Sequence, residues 1–177
     1  MISTLAKATA MLAVLAVTTP MAAQAHPAAV AHRTVDSGGT TYRLTLAAPT
    51  TIRPSVPTTI TGQGYNAGQG IFVALCAIPA GVKPHKPATF TARPTPCLGP
   101  RGAGNTSRRI VNGATGEHTS PYGPNGSFLV QLDLQPKIAD GVECDVDVRC
   151  AIVTRADFTA TDDRTWDLYL PVRFRRG

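Results

Sequence analysis

The chain of 177 residues carries 17 Lys and Arg against 11 Asp and Glu, a formal charge of +6. That excess is too small, and aromatics at 6% too scarce, for a surface built to grip and stack nucleic acid. Its 16 Gly and 15 Pro are spread along the chain, and no window keeps a helical apolar period over three turns. A helical bundle is excluded in favour of short strands and turns.

Residues 1–25 read as an export leader. Lys7 supplies the positive start, Ala8 to Val17 (ATAMLAVLAV) is a short apolar run, and Ala23-Gln24-Ala25 is a small-residue cleavage site. Ala29-Val30-Ala31 offers a second such site. The apolar run of about ten residues falls short of the roughly 20 that span a bilayer. The expected product is secreted or extracellular, cell-surface association included, without a membrane span.

Residues 26–40 show no strand pattern and are expected to form a flexible arm, leaving 41–177 as one domain. Thr41 to Ala47 alternates, with Tyr42, Leu44 and Leu46 on one face. Pro57 to Thr61 is the next strand, ended by Gly62-Gln63-Gly64, and Asn66-Ala67-Gly68 turns into Ile71 to Ile78. That run is apolar on both faces and reads as a central strand. From Lys83 to Tyr122 the chain has loop chemistry rich in Pro and Gly, with a short strand near Arg108 to Val111. Pro124-Asn125-Gly126 turns into Ser127 to Leu134, where Phe128, Val130, Leu132 and Leu134 point inward. Ala151 to Thr154 and Leu168 to Phe174 complete the set, with Pro171 placing the last strand at an edge or paired on one side there. About seven antiparallel strands at this spacing predict an all-β, immunoglobulin-like β-sandwich.

Four cysteines punctuate these strands. Cys76 and Cys97 are 21 positions apart, and Cys144 and Cys150 are six apart. Four cysteines allow three connectivities, and in an exported chain the two local pairs suit a sandwich best. Loop-closure entropy gives about 3.4 and about 2.4 kcal/mol for bridges of these spans. Zinc is the rival reading, but it wants a C-x2-C knuckle or clustered His, and neither stands in the sequence.

The run Thr59-Ile60-Thr61-Gly62-Gln63-Gly64-Tyr65-Asn66-Ala67-Gly68, leading into Phe72-Val73-Ala74-Leu75-Cys76-Ala77, resembles the neocarzinostatin family. These are apoproteins of enediyne chromoproteins, which bind and protect an apolar antibiotic chromophore. Asn125-Gly126-Ser127 before a strand, and Val142-Glu143-Cys144 followed by Cys150, extend the likeness across roughly Ala48 to Phe174. The resemblance implies a seven-stranded immunoglobulin-like sandwich with a ligand cleft beside it. Antimicrobial action and DNA binding enter only through that family. The segment between Cys76 and Cys97 is longer than the family's, and Ile78 and Ala151 stand where its best-known member has Trp and Gln. The stretch from Cys150 to Asp157, with Asp162-Asp163-Arg164 and Pro171 to Phe174, is similar to uncharacterised actinobacterial surface proteins. Those carry neocarzinostatin-like modules, some beside haem-transport-associated domains.

Strand alternation locates a candidate site without the family. If Ile71, Val73 and Leu75 face the core, Ala74, Cys76 and Ile78 face away from it. If Ile152 and Thr154 face the core, Ala151, Val153 and Arg155 share that outer surface. The face of Ala74, Ile78, Ala151, Val153 and Arg155 suits a flat apolar ligand with an acidic group. The competing expectation is that the long loop folds over this face and fills it.

Other residues take plainer readings. Arg93, Arg101, Arg108, Arg109, Arg173, Arg175 and Arg176 are expected to be a solvated surface rather than an anion-binding one. Asp157, Asp162, Asp163 and Asp167 with Arg155 and Arg164 match no EF-hand spacing and read as a salt-bridged corner. Cleavage after Ala25 would expose His26, a candidate N-terminal copper ligand, with His85 or His118 needed as its second; cleavage after Ala31 would expose His32. No nucleophile elbow or phosphate loop is present. A non-enzymatic, monomeric binding protein without cofactor is therefore expected, meeting a small apolar ligand or a cell-envelope partner, or serving as a structural or adhesive surface module.

Overall fold

The computed structural model describes residues 28–99 and 104–175. The segment expected to be a leader, His26, Arg101 and Arg176 lie outside the described residues. The strands in chain order are β1 (Ala29–Ser37), β2 (Thr40–Ala48), β3 (Thr51–Ile52), β4 (Thr58–Gln63), β5 (Ile71–Ala77) and β6 (Ser107–Ile110). They continue with β7 (Thr119–Ser120), β8 (Phe128–Leu132), β9 (Lys137–Ala139), β10 (Val142–Glu143), β11 (Cys150–Ala156) and β12 (Leu168–Phe174).

Two sheets face each other in an immunoglobulin-like sandwich. One has the order β1-β2-β4-β8 and the other β3-β12-β11-β5-β6-β7, with β9 and β10 as a separate small hairpin. Pairing is antiparallel except for two short parallel contacts, β3 on β12 and β7 on β6. Leu44, Leu46, Ile60 and Leu132 from the first sheet meet Val73, Leu75, Ile152 and Leu170 from the second in one apolar core. Within it the Tyr65 hydroxyl lies 3.1 Å from Thr154 Oγ1, which donates to the Trp166 carbonyl at 3.0 Å. Both predicted disulfides are formed, Cys76–Cys97 and Cys144–Cys150. Pro171 sits opposite Ala151 on β11, while β3 pairs with β12 only at Arg173 and Phe174, so the proline's other side faces no described strand.

Two expectations are corrected. Residues 29–37 are not a flexible arm but a nine-residue strand, registered pair for pair against β2. Alternation is present there: Ala29, Ala31, Arg33 and Val35 turn inward, and Val30, His32, Thr34 and Asp36 turn out. Arg33 in the inward row disguises it, and Gly38-Gly39, with φ of 56° and 78°, makes the two-residue turn into β2. Strand β4 also runs through Gly62 and Gln63 instead of ending before them. Gly62 belongs there because the Phe128 ring lies where its Cβ would stand.

Candidate functional site

Register brings the predicted face together. Val153 on β11 stands opposite Ala74 on β5 and Tyr169 on β12, and Ala151 stands opposite Cys76 and Pro171. Successive residues of a strand alternate sides, so Ala74, Ala151, Val153 and Tyr169 share the outer side of this sheet, away from the main core. Small side chains on the two central strands leave a shallow floor.

That floor is covered. Val82 and Phe90, from the loop between Cys76 and Cys97, pack on Ala74, Ala151, Val153 and Tyr169 as a second apolar cluster, with Ile78 partly buried at its margin. Ala151 and Val153 are at most 1% exposed. The Phe90 ring lies 4.7 Å from that of Tyr169, and the Arg33 guanidinium sits 5.2 Å from the Phe90 ring centre. Of the predicted face there remains a cavity of about 30 Å³ beside Phe72, Ala74, Leu98, Ser107 and Arg155. A water fits such a space, whereas small-molecule sites run to hundreds of Å³.

The covering loop is fastened at its ends. Ile78 N–H donates to the Arg149 carbonyl, Ala77 N–H to Pro96, and Leu98 N–H to Leu75, alongside the Cys76–Cys97 bridge. Among the described residues, the hydrogen bonds of residues 79–91 stay inside the loop. Thr89 Oγ1, for instance, accepts from the Lys83 N–H at 2.8 Å and donates to the Lys86 carbonyl at 2.7 Å.

A polar cluster borders the covered face. Arg33 reaches from β1 across the sandwich and donates to the carbonyls of Arg164 (2.7 Å) and Asp167 (2.6 Å). Arg164 donates to Asp167 Oδ2 at 3.0 Å. Asp167 Oδ1 and the Tyr169 hydroxyl are buried with no hydrogen-bond partner among the described residues. Burial pushes the Asp167 carboxyl up to about 7 against the pull of Arg164, Arg33 and Arg155. Burial also raises the Tyr169 phenol and lowers the Arg33 guanidinium. Arg155 is itself buried, its guanidinium 5.2 Å from the Phe72 ring centre.

The remaining candidates are dispersed. Asp157 pairs at 2.6 Å with Arg109, which lies outside the expected corner, and accepts from the Thr159 N–H, while Asp163 accepts from the Thr165 N–H; of the expected ion pairs, Arg164–Asp167 is seen. Arg108 is spent on the Glu117 carbonyl and Asn105, and Arg93, Arg173 and Arg175 are exposed. His32 is exposed on β1, His85 is exposed on the covering loop, and His118 precedes β7. Among the described residues no group of three His, Cys, Asp or Glu could hold a metal ion.

Sequence reasoning missed Phe90, Tyr169 and Arg33. Phe90 is the sole Phe, Tyr or Trp between Cys76 and Cys97, which was a usable signal for what the loop puts on the sheet. Two wider depressions lie elsewhere, one beside Tyr42, Arg43 and Asn125, the other beside Asp145, Arg149 and Arg173. Compared with known proteins, the chain matches no family model, no curated protein and no solved structure.

Proposed function

We propose that the chain is an exported, non-enzymatic immunoglobulin-like surface module, structural or adhesive in role, whose cleft is filled by its own loop. The observation that carries this reading is Phe90, seated between Arg33 and Tyr169 over the floor of Ala74, Ala151 and Val153. The likeness to neocarzinostatin-like modules of surface proteins supports it, resting on the residues quoted for it. Two disulfides suit an oxidising compartment, and among the described residues no helix is long and apolar enough to cross a membrane.

Fluorescence of anilinonaphthalene sulfonate, an aromatic anion, tests the self-filled cleft. The natural chain is expected to leave the dye dark, and Phe90→Ala to light it by uncovering apolar floor beside Arg33. Saturable binding by the natural chain that Phe90→Ala leaves unchanged would sink the reading.

One observation favours a second reading, carriage of a flat apolar ligand with an acidic group, as the enediyne resemblance implies. Because the loop bonds within itself across residues 79–91, lifting it costs apolar contacts of Val82 and Phe90 but few hydrogen bonds. Its signature is dye binding by the natural chain that strengthens in Phe90→Ala, since the plug and the ligand then compete for one place.

A further inference from the structure

The two edges of the β1-β2-β4-β8 sheet are finished differently. At the β8 edge the chain around Asn105 lies alongside: its side-chain amide donates to the Gln131 carbonyl at 2.7 Å, and its own carbonyl accepts from the Asp133 N–H at 2.8 Å. The other sheet ends in two-residue strands, β3 and β7. Strand β1 has neither protection. It runs nine residues, pairs with β2 without a register shift, and no described strand lies on its far side. It also contains no Pro, no Lys and no bulge, and its one inward-pointing charge, Arg33, is engaged within the chain by the Arg164 and Asp167 carbonyls.

Hairpin geometry says which groups that edge presents. A two-residue turn makes Ser37 and Thr40 a hydrogen-bonded pair. Every second residue back from Ser37 then bonds β2, and the residues between them, Val30, His32, Thr34 and Asp36, aim N–H and C=O away from it. Their side chains are the exposed row of the strand.

We infer that β1 pairs with β1 of a second copy of this chain, antiparallel about Thr34, joining two sheets into one. Side-chain complementarity selects both the occupant and the register. Pairing about His32 sets two imidazoles opposite each other, and pairing about Arg33 sets two guanidiniums so. Pairing about Thr34 sets His32 opposite Asp36 twice by symmetry, with Thr34 opposite Thr34. An imidazole N–H that can donate to a carboxylate and a Thr–Thr pair are favourable cross-strand neighbours. Asp36 is held for this role, since its Oδ1 already accepts from the Thr41 hydroxyl at 2.5 Å. The two-fold contact is self-complementary, as closed dimers require. It replaces the expectation of a monomer.

Sedimentation equilibrium of the secreted chain, with circular dichroism to verify folding, tests this. The natural chain is expected to dimerise with concentration, and Thr34→Pro to remain monomeric, because the lost N–H is one that β2 does not use. His32→Asp places carboxylates opposite each other twice and is expected to weaken the dimer by about tenfold. The exchange His32→Asp with Asp36→His restores the opposed pair and is expected to restore the dimer. A natural chain that is monomeric throughout overturns the inference. So does a dimer indifferent to Thr34→Pro, or one that the exchange fails to rescue. If Thr34→Pro fails to fold, the charge exchange decides alone. A natural chain that stays monomeric yet binds an extended peptide through Thr34 assigns the edge to a foreign strand and likewise overturns pairing between copies.

Discussion

Individual residues bear the most specific constraints. Gly126 has φ of 61°, and a Cβ there would overlap the Tyr65 carbonyl, where Tyr65 N–H donates to the Gly126 carbonyl at 3.3 Å. Gly126→Ala is expected to cost about 2 kcal/mol or more in chemical denaturation, and an unchanged midpoint would show that the turn relaxes freely. Two carboxylates set opposing pH limbs. Burial pushes Asp157 up, yet hydrogen bonds from Thr159 and then Arg109 bring it below its ordinary 3.8, so its contribution is lost as pH falls through that range. Asp167 behaves in reverse. Its folded value of about 7 lies above 3.8, so between them the folded chain keeps a proton that the unfolded chain has released. Stability should then fall as pH rises through that window, by about 1.4 kcal/mol per pH unit. Denaturation midpoints from pH 4 to pH 7 should show this slope, and Asp167→Asn should flatten it. An equal slope in both chains would assign it elsewhere.

At the scale of elements, the face of β5 and β11 and its cover by the following loop were legible, and the side chain that plugs it was not. Alternation in Ile71 to Ala77 and Cys150 to Ala156 fixes which side chains leave the main core, because the period of a strand is two whatever packs on it. What lands on the outer side depends on a loop whose hydrogen bonds are internal, and no period encodes that. Phe90 is 4% exposed, so Phe90→Ala is expected to cost about 3 kcal/mol, the low end for such a truncation, since a loop tied only at its ends can settle into the gap. Replacing Cys76 and Cys97 together by Ala removes one tie and about 3.4 kcal/mol of loop-closure stabilisation. Thermal melts check both, with a further expectation for the cysteine variant: residues 79–95 should exchange amide hydrogens faster while β11 stays protected. Equal loss of protection across β11 would mean that loop and sheet open as one unit.

For the whole molecule, the long strands of both sheets except the first, and both disulfides, were readable because buried strands carry apolar rows and Cys76 and Cys150 sit at the ends of β5 and β11. The first strand was not, since an edge strand needs a single inward row and this one includes Arg33. That side chain finds its carbonyl partners 131 and 134 positions away, a distance over which sequence patterns are silent. Strand β1 constrains where the expected leader could be removed. Cleavage after Ala25 would keep all of β1, whereas cleavage after Ala31 would remove Ala29, Val30 and Ala31, which pair with Ala48, Ala47 and Leu46. Ala29 and Ala31 also pack against the main core. A chain beginning at His32 is therefore expected to be less stable than one beginning at His26 by about 1 to 2 kcal/mol. Parallel urea titrations of the two chains measure this. Equal midpoints would mean that the first third of β1 adds nothing to the sandwich, and the later cleavage site would then be as compatible with the fold as the earlier.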